Sequence, residues 1–73
     1  MAESWNRSVF SSMVSALSYD GETSELTVEW AKGGSGVFSG VSEDVANSAA
    51  NAPSVGTFVH NQLKPNYPYR RGD

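Results

Sequence analysis

Leu26-Thr27-Val28-Glu29-Trp30 alternates apolar and polar side chains without a break. An extended backbone turns successive side chains to opposite faces, so Leu26, Val28 and Trp30 share one face and Thr27 and Glu29 the other. The segment therefore predicts a strand in a sheet with one buried face. Upstream, Ser11 to Tyr19 carries Val14, Leu17 and Tyr19 and predicts a first strand, with imperfect alternation. Asp20-Gly21-Glu22-Thr23 joins the two as a turn. Downstream, Lys32-Gly33-Gly34-Ser35-Gly36 predicts a reversal into a short third strand around Val37-Phe38. Three antiparallel strands with one apolar face need a cover.

The second half supplies that cover. Ser42 is placed as an N-cap, with Glu43 and Asp44 in the first turn, where the helix dipole favours acids. Val45, Ala46, Ala49 and Ala50 form a stripe of small residues that can lie close to a sheet, and the helix should end near Asn51 ahead of Pro53. Ser54 can cap a second helix that turns Val55, Phe58, Val59 and Leu63 inward and stops near Lys64, before Pro65. The expectation is an α+β domain: a three-stranded antiparallel meander followed by two short helices packed on one face, β-β-β-α-α. Residues 1–7 read as a flexible lead-in, 8–64 as the single domain and 65–73 as a basic aromatic tail.

At 73 residues the chain holds one domain at most. A domain this short buries only about 60% of its unfolded surface, so each large apolar residue matters. The absence of cysteine rules out disulfides and thiolate metal sites, and a single histidine without a carboxylate cluster predicts no metal or other cofactor. No apolar run approaches the roughly 20 residues that span a bilayer, and the polar opening Met1-Ala2-Glu3-Ser4 does not read as a signal peptide. These features predict a soluble cytoplasmic monomer with no membrane partner.

The net charge of -3 hides a dipole. Asp20, Glu22, Glu25, Glu29, Glu43 and Asp44 face one base, Lys32, in the middle of the chain, whereas Lys64, Arg70 and Arg71 gather at the C-terminal end. Segregated charge orients a partner on approach. The tail Lys64-Pro65-Asn66-Tyr67-Pro68-Tyr69-Arg70-Arg71 offers rigid amphipathic rings and guanidinium forks, the side chains that dominate interfaces. Tyr67, Tyr69, Arg70, Arg71 and Lys64 are the expected partner-binding residues, with Glu43 and Asp44 as second contacts. Deletion after Lys64 is expected to leave the fold largely intact.

Other candidates reduce to structure. His60 has no nucleophile or carboxylate in a recognisable motif beside it and reads as a helix-surface residue, so no catalytic residue and no enzyme is expected. The Gly33-Gly34-Ser35-Gly36 run lacks the Lys-Ser/Thr of a phosphate loop and reads as a turn. Trp30 reads as core, and Trp5 as folding back to finish an undersized core. Arg71-Gly72-Asp73 matches the integrin tripeptide but has no presenting loop. For nucleic acid, only Arg7, Lys32, Lys64, Arg70 and Arg71 could meet phosphates, and they are not expected to converge on one track.

The order Ser12, Tyr19-Asp20, Leu26-x-Val28-x-Trp30, Gly33, Phe38, Gly40-Val41, Ala52-x-Ser54-x-Gly56, Phe58, Leu63-Lys64, Tyr67 resembles the KTSC domain, over roughly Ser8 to Arg71. That module is named for its occurrence at the C-terminus of some lysyl-tRNA synthetases and also occurs alone in small bacterial and phage proteins. The resemblance implies a compact α+β fold, no catalytic activity and an RNA-binding role. The family carries a Tyr-x-Tyr signature on the third strand, where this chain has Gly36-Val37-Phe38, which weakens an RNA reading built on paired stacking platforms. In length, domain type and charged tail the chain also looks like a phage-encoded transcription regulator. Such a regulator binds host RNA polymerase in the host cytoplasm, blocks initiation and promotes antitermination. The expected partner is thus a protein, host RNA polymerase, with weak RNA binding as the alternative.

Overall fold

The computed structural model describes residues 4–9 and 11–72. Four strands, β1 (Trp5–Ser8), β2 (Val14–Asp20), β3 (Glu25–Trp30) and β4 (Ser35–Phe38), run consecutively as an antiparallel meander. Two helices follow, α1 (Glu43–Ala50) and α2 (Val55–Phe58), the second continuing into a π-helical turn at Val59–Leu63. The chain then returns as β5 (Tyr69–Arg71), which pairs antiparallel with β4 and completes a five-stranded sheet in the order β1-β2-β3-β4-β5.

The three-stranded β-β-β-α-α expectation is corrected on this point: the α+β class stands, but the sheet has five strands, and its two outermost strands come from the segments read as lead-in and tail. Both are edge strands, and that explains why they are hard to read. Trp5–Ser8 has one half-buried residue and three exposed ones, and Tyr69–Arg71 is exposed throughout. An edge strand is held largely by its backbone ladder, so its side chains need not alternate in polarity. Residues 1–3 of the expected lead-in lie outside the described residues. Deletion after Lys64 would remove a strand and the half-buried Tyr67, so the tail is part of the fold.

The core forms where the expected faces meet. Val14, Leu17, Tyr19, Leu26, Val28 and Phe38 from the sheet pack against Ala46, Ala49, Val55, Val59 and Leu63 from the helices. A shift of register between Val14 and Ala16 leaves Ser15 without a partner across the ladder, a bulge that accounts for the imperfect alternation of β2. Serines start both helices as expected. Ser42 Oγ accepts from the Val45 N–H at 3.3 Å, and Ser54 Oγ accepts from the Thr57 N–H at 3.4 Å. Trp5 packs against the core edge, its ring 5.8 Å from that of Tyr19.

The link between sheet and helix layer passes through Tyr19, whose buried hydroxyl donates to the Val41 carbonyl at 2.8 Å, just before α1. Tyr19→Phe should lower stability by roughly 1–2 kcal/mol, because the carbonyl loses its donor in a dry site. Urea denaturation of the two chains checks this, with an unchanged transition midpoint as the contrary result.

Candidate binding cleft

The return strand decides the site. Its register sets Tyr69 opposite Phe38, Arg70 opposite Val37 and Arg71 opposite Gly36. Tyr69 therefore lies on the face that carries Phe38, with the two ring centroids 5.0 Å apart and tilted by 53°. Its ring lies across Gly36, where a Cβ atom would overlap the phenol. The glycine is thus a notch, and Tyr69 fills it from the neighbouring strand.

A cleft of about 450 Å³ opens beside this ring, lined by Met13, Trp30, Lys32, Gly33, Lys64 and Tyr69. Each wall has a local cause. Trp30 ends the inward row of β3 at the edge of the core, half-buried. The hairpin after it is closed by bonds from Trp30 N–H to the Gly34 carbonyl at 3.1 Å and from Gly33 N–H to the Trp30 carbonyl at 3.0 Å. Gly33 there has φ +110°, a conformation that suits glycine. The Ala31 N–H donates to the Met13 carbonyl at 2.9 Å and so ties Met13 to the same corner, with its side chain exposed. Across the cleft the π-helical turn is sealed by the Lys64 N–H on the Val59 carbonyl at 3.0 Å. Lys64 then reaches over the rings: Nζ stands 5.8 Å from the Trp30 centroid and 5.8 Å from that of Tyr69. An ammonium at this range is attracted by the negative ring faces.

The expected site residues are distributed over several surfaces. Lys64 and Tyr69 meet in the cleft, and the register puts Arg71 on the same face as Tyr69. Arg70 faces the other way and pairs with Glu25 at 2.8 Å, an ion pair between an exposed guanidinium and a half-buried carboxylate. Tyr67 packs half-buried into a separate shallow depression with Val45 and Phe58. Glu43 and Asp44 stand in the first turn of α1 and do not line the cleft. His60 is exposed on the π-helical turn. Of the five bases, Lys32 and Lys64 share the cleft, whereas Arg7 stacks 5.3 Å over Trp5 on the far edge strand.

Met13, Trp30 and Lys32 were not among the expected binding residues. A signal for Trp30 existed: a large ring ending an inward row just before a glycine hairpin must overhang the core. Nothing comparable marks Met13, which reaches the cleft through the bulge in β2 and the loop before it. Among the described residues no three metal-ligating side chains cluster, and no helix is long and apolar enough to cross a membrane.

Comparison with known proteins places this geometry. The family model of the KTSC domain matches residues 10–67, and the chain belongs to that family. The crystal structure of a KTSC domain protein from Yersinia pestis is similar in fold, with a TM-score of 0.84 over 93% of this chain and 96% of that one, at 24% identity. No curated protein matches the sequence.

Gly36→Ala should therefore push the Tyr69 ring off the sheet and remove one wall of the cleft. Because that ring is an exposed, movable end, the stability cost should stay near about 1 kcal/mol. Loss of the nuclear Overhauser contact between the Phe38 and Tyr69 rings, with a retained cooperative transition whose midpoint falls by a few degrees, is the expected result.

Proposed function

We propose that this KTSC domain is a non-catalytic recognition module that binds a protein partner through the Met13–Trp30–Lys64–Tyr69 cleft. The partner we propose is host RNA polymerase, bound by a phage-type regulator that inhibits initiation and promotes antitermination. The cleft carries the reading. It joins apolar and aromatic walls to two ammonium groups on a chain whose net charge is -3, and among the described residues no carboxylate, thiol or imidazole lines it. Interfaces favour Trp, Tyr and Met at their centres. The polymerase itself enters from the likeness in length, domain type and charge distribution noted in the sequence.

A second reading, short single-stranded RNA, is favoured by one observation: Lys64 stands between two rings, with Lys32 at the rim. Bases stack on exposed rings and phosphates meet ammonium groups. Against it, Arg7 and Arg70 lie elsewhere, so the cleft offers two ammonium groups rather than a track.

Affinity purification from host lysate, with the intact chain and the Lys64→Met and Tyr69→Ser variants, separates these readings. Polymerase subunits should be recovered by the intact chain and lost with both variants. Equal recovery by all three would clear the cleft, and recovery of no polymerase would remove that partner. Tight binding of single-stranded RNA by anisotropy at physiological salt would favour the second reading.

A further inference from the structure

Two ammonium groups without a carboxylate partner share one cavity. Lys32 and Lys64 both line the cleft of about 450 Å³; among the described residues no acid lines it and neither lysine joins an ion pair. A concave space bordered by charge of one sign draws in the opposite charge. The other walls are Met13, Trp30, Gly33 and Tyr69, so the group that fills the space carries an apolar body beside its charge. Lys64 Nζ stands 5.8 Å from the centroids of both the Trp30 and the Tyr69 rings, which puts charge and aromatic walls within reach of one small group. Met13, half-exposed, adds an adaptable thioether, and thioethers make favourable contacts with aromatic rings. The matching occupant is therefore an anion with a ring attached.

Within a polypeptide, an acid and a ring sit on different residues, and successive side chains of an extended segment point to opposite sides. A chain end differs, because the C-terminal residue carries its α-carboxylate and its side chain on the same Cα. The cleft is also wide-mouthed, whereas sites for free small molecules enclose most of the ligand surface. An open cavity of this size suits a group inserted from a chain that continues outside. We propose that the cleft captures the C-terminal aromatic residue of its protein partner, with the α-carboxylate at Lys64 and Lys32 and the ring against Met13, Trp30 and Tyr69. This inference rests on the protein-binding reading of the cleft and adds which part of the partner is read. Charge complementarity selects a carboxylate over an amide or an ammonium, and the ring walls select an aromatic side chain over a small one.

The test titrates the full, isotope-labelled chain with the acetylated tetrapeptide Gly-Ser-Gly-Phe, its C-terminal carboxylate free, and follows amide and indole shifts. Three peptides serve as controls: the same sequence amidated, the free acid Gly-Ser-Gly-Ala, and amidated Gly-Ser-Glu-Phe-Gly, which holds acid and ring on neighbouring internal residues. Lys64→Met and Lys32→Met are the variants. Saturable shifts should appear at the Trp30 indole and at Lys64 and Tyr69. Affinity should fall roughly fivefold or more with each control peptide and with each variant, and should weaken with salt. Absence of saturable shifts at the cleft, or equal affinity for the free acid and for either amidated peptide, would overturn the inference. Tighter binding of phenylacetate than of the tetrapeptide would overturn it in favour of a free aromatic acid, and tighter binding of a short oligouridylate in favour of RNA. The polymerase assay fails independently. Capture lost in Lys64→Met with no effect of the tetrapeptide leaves the cleft reading and removes the chain-end chemistry. Specific tetrapeptide binding without polymerase capture keeps the chain-end chemistry and removes that partner.

Discussion

One row of side chains crosses the whole sheet, and the rest of the molecule is arranged around it. Trp5 stands opposite Tyr19, Tyr19 opposite Leu26, Leu26 opposite Phe38 and Phe38 opposite Tyr69, one residue from each strand in turn. All five share the face that the helices cover. The interior of the row, Tyr19, Leu26 and Phe38, is buried, and Trp5 and Tyr69 close it at either edge with ring contacts of 5.8 and 5.0 Å. Cross-strand pairs of this kind stabilise a sheet by a few tenths to about 1 kcal/mol each, and a small domain depends on such increments. Neither edge strand has an apolar row of its own. Each is attached through its ladder and one ring, so the row makes five strands from a sequence in which three are evident.

The cleft is a consequence of how that row ends. The helix layer is short: α2 has four residues, and its π-helical continuation stops before Pro65. It buries Val59 and Leu63 but runs out near the corner where Trp30 leaves the core. Trp30 and Tyr69 consequently protrude past the cover, and Lys64, first residue after the turn, extends over both. π-helical turns accompany functional sites often enough for this one to be read together with the cleft it borders. The cleft is a gap between edge strand, hairpin and helix end, and no cavity has to be kept open in the core.

The parts of the fold that were legible in the sequence are those where burial imposes a period. The alternation at Leu26-Val28-Trp30, the small-residue stripe of α1 and the two serine caps all appear where the pattern puts them. β1 and β5 were not legible, because backbone hydrogen bonds to a neighbour leave no mark on polarity. The site was legible in part. The sequence places aromatic and basic groups near the C-terminus, but reading 65–73 as a tail joined Tyr67, Tyr69, Arg70 and Arg71 into one patch. Once Tyr69–Arg71 is a strand, alternation separates Arg70 from its two neighbours, and Tyr67 belongs to the core edge. Apart from Lys64, the partners of Tyr69 in the cleft, Met13, Trp30, Lys32 and Gly33, lie far from it in sequence, a proximity that only the closed sheet creates.

This arrangement separates the buried core from the cleft lining in a chain with little stability to spare. The largest fully buried side chains, Phe38, Leu17, Leu26 and Leu63, lie away from the cleft lining, while Met13, Lys32, Lys64 and Tyr69 in that lining are exposed. Change at the exposed positions removes contact area or charge without opening a void, so its effect on folding is small compared with truncation in the core. Trp30 and Tyr69 are the exceptions, since Trp30 packs against the core and Tyr69 against Phe38 while both line the cleft. Variation in Met13, Lys32 and Lys64 can therefore alter the surface of the cleft while the row from Trp5 to Phe38 holds the sheet. Tyr69 belongs to both systems, and Gly36 is the position that allows it to serve them together.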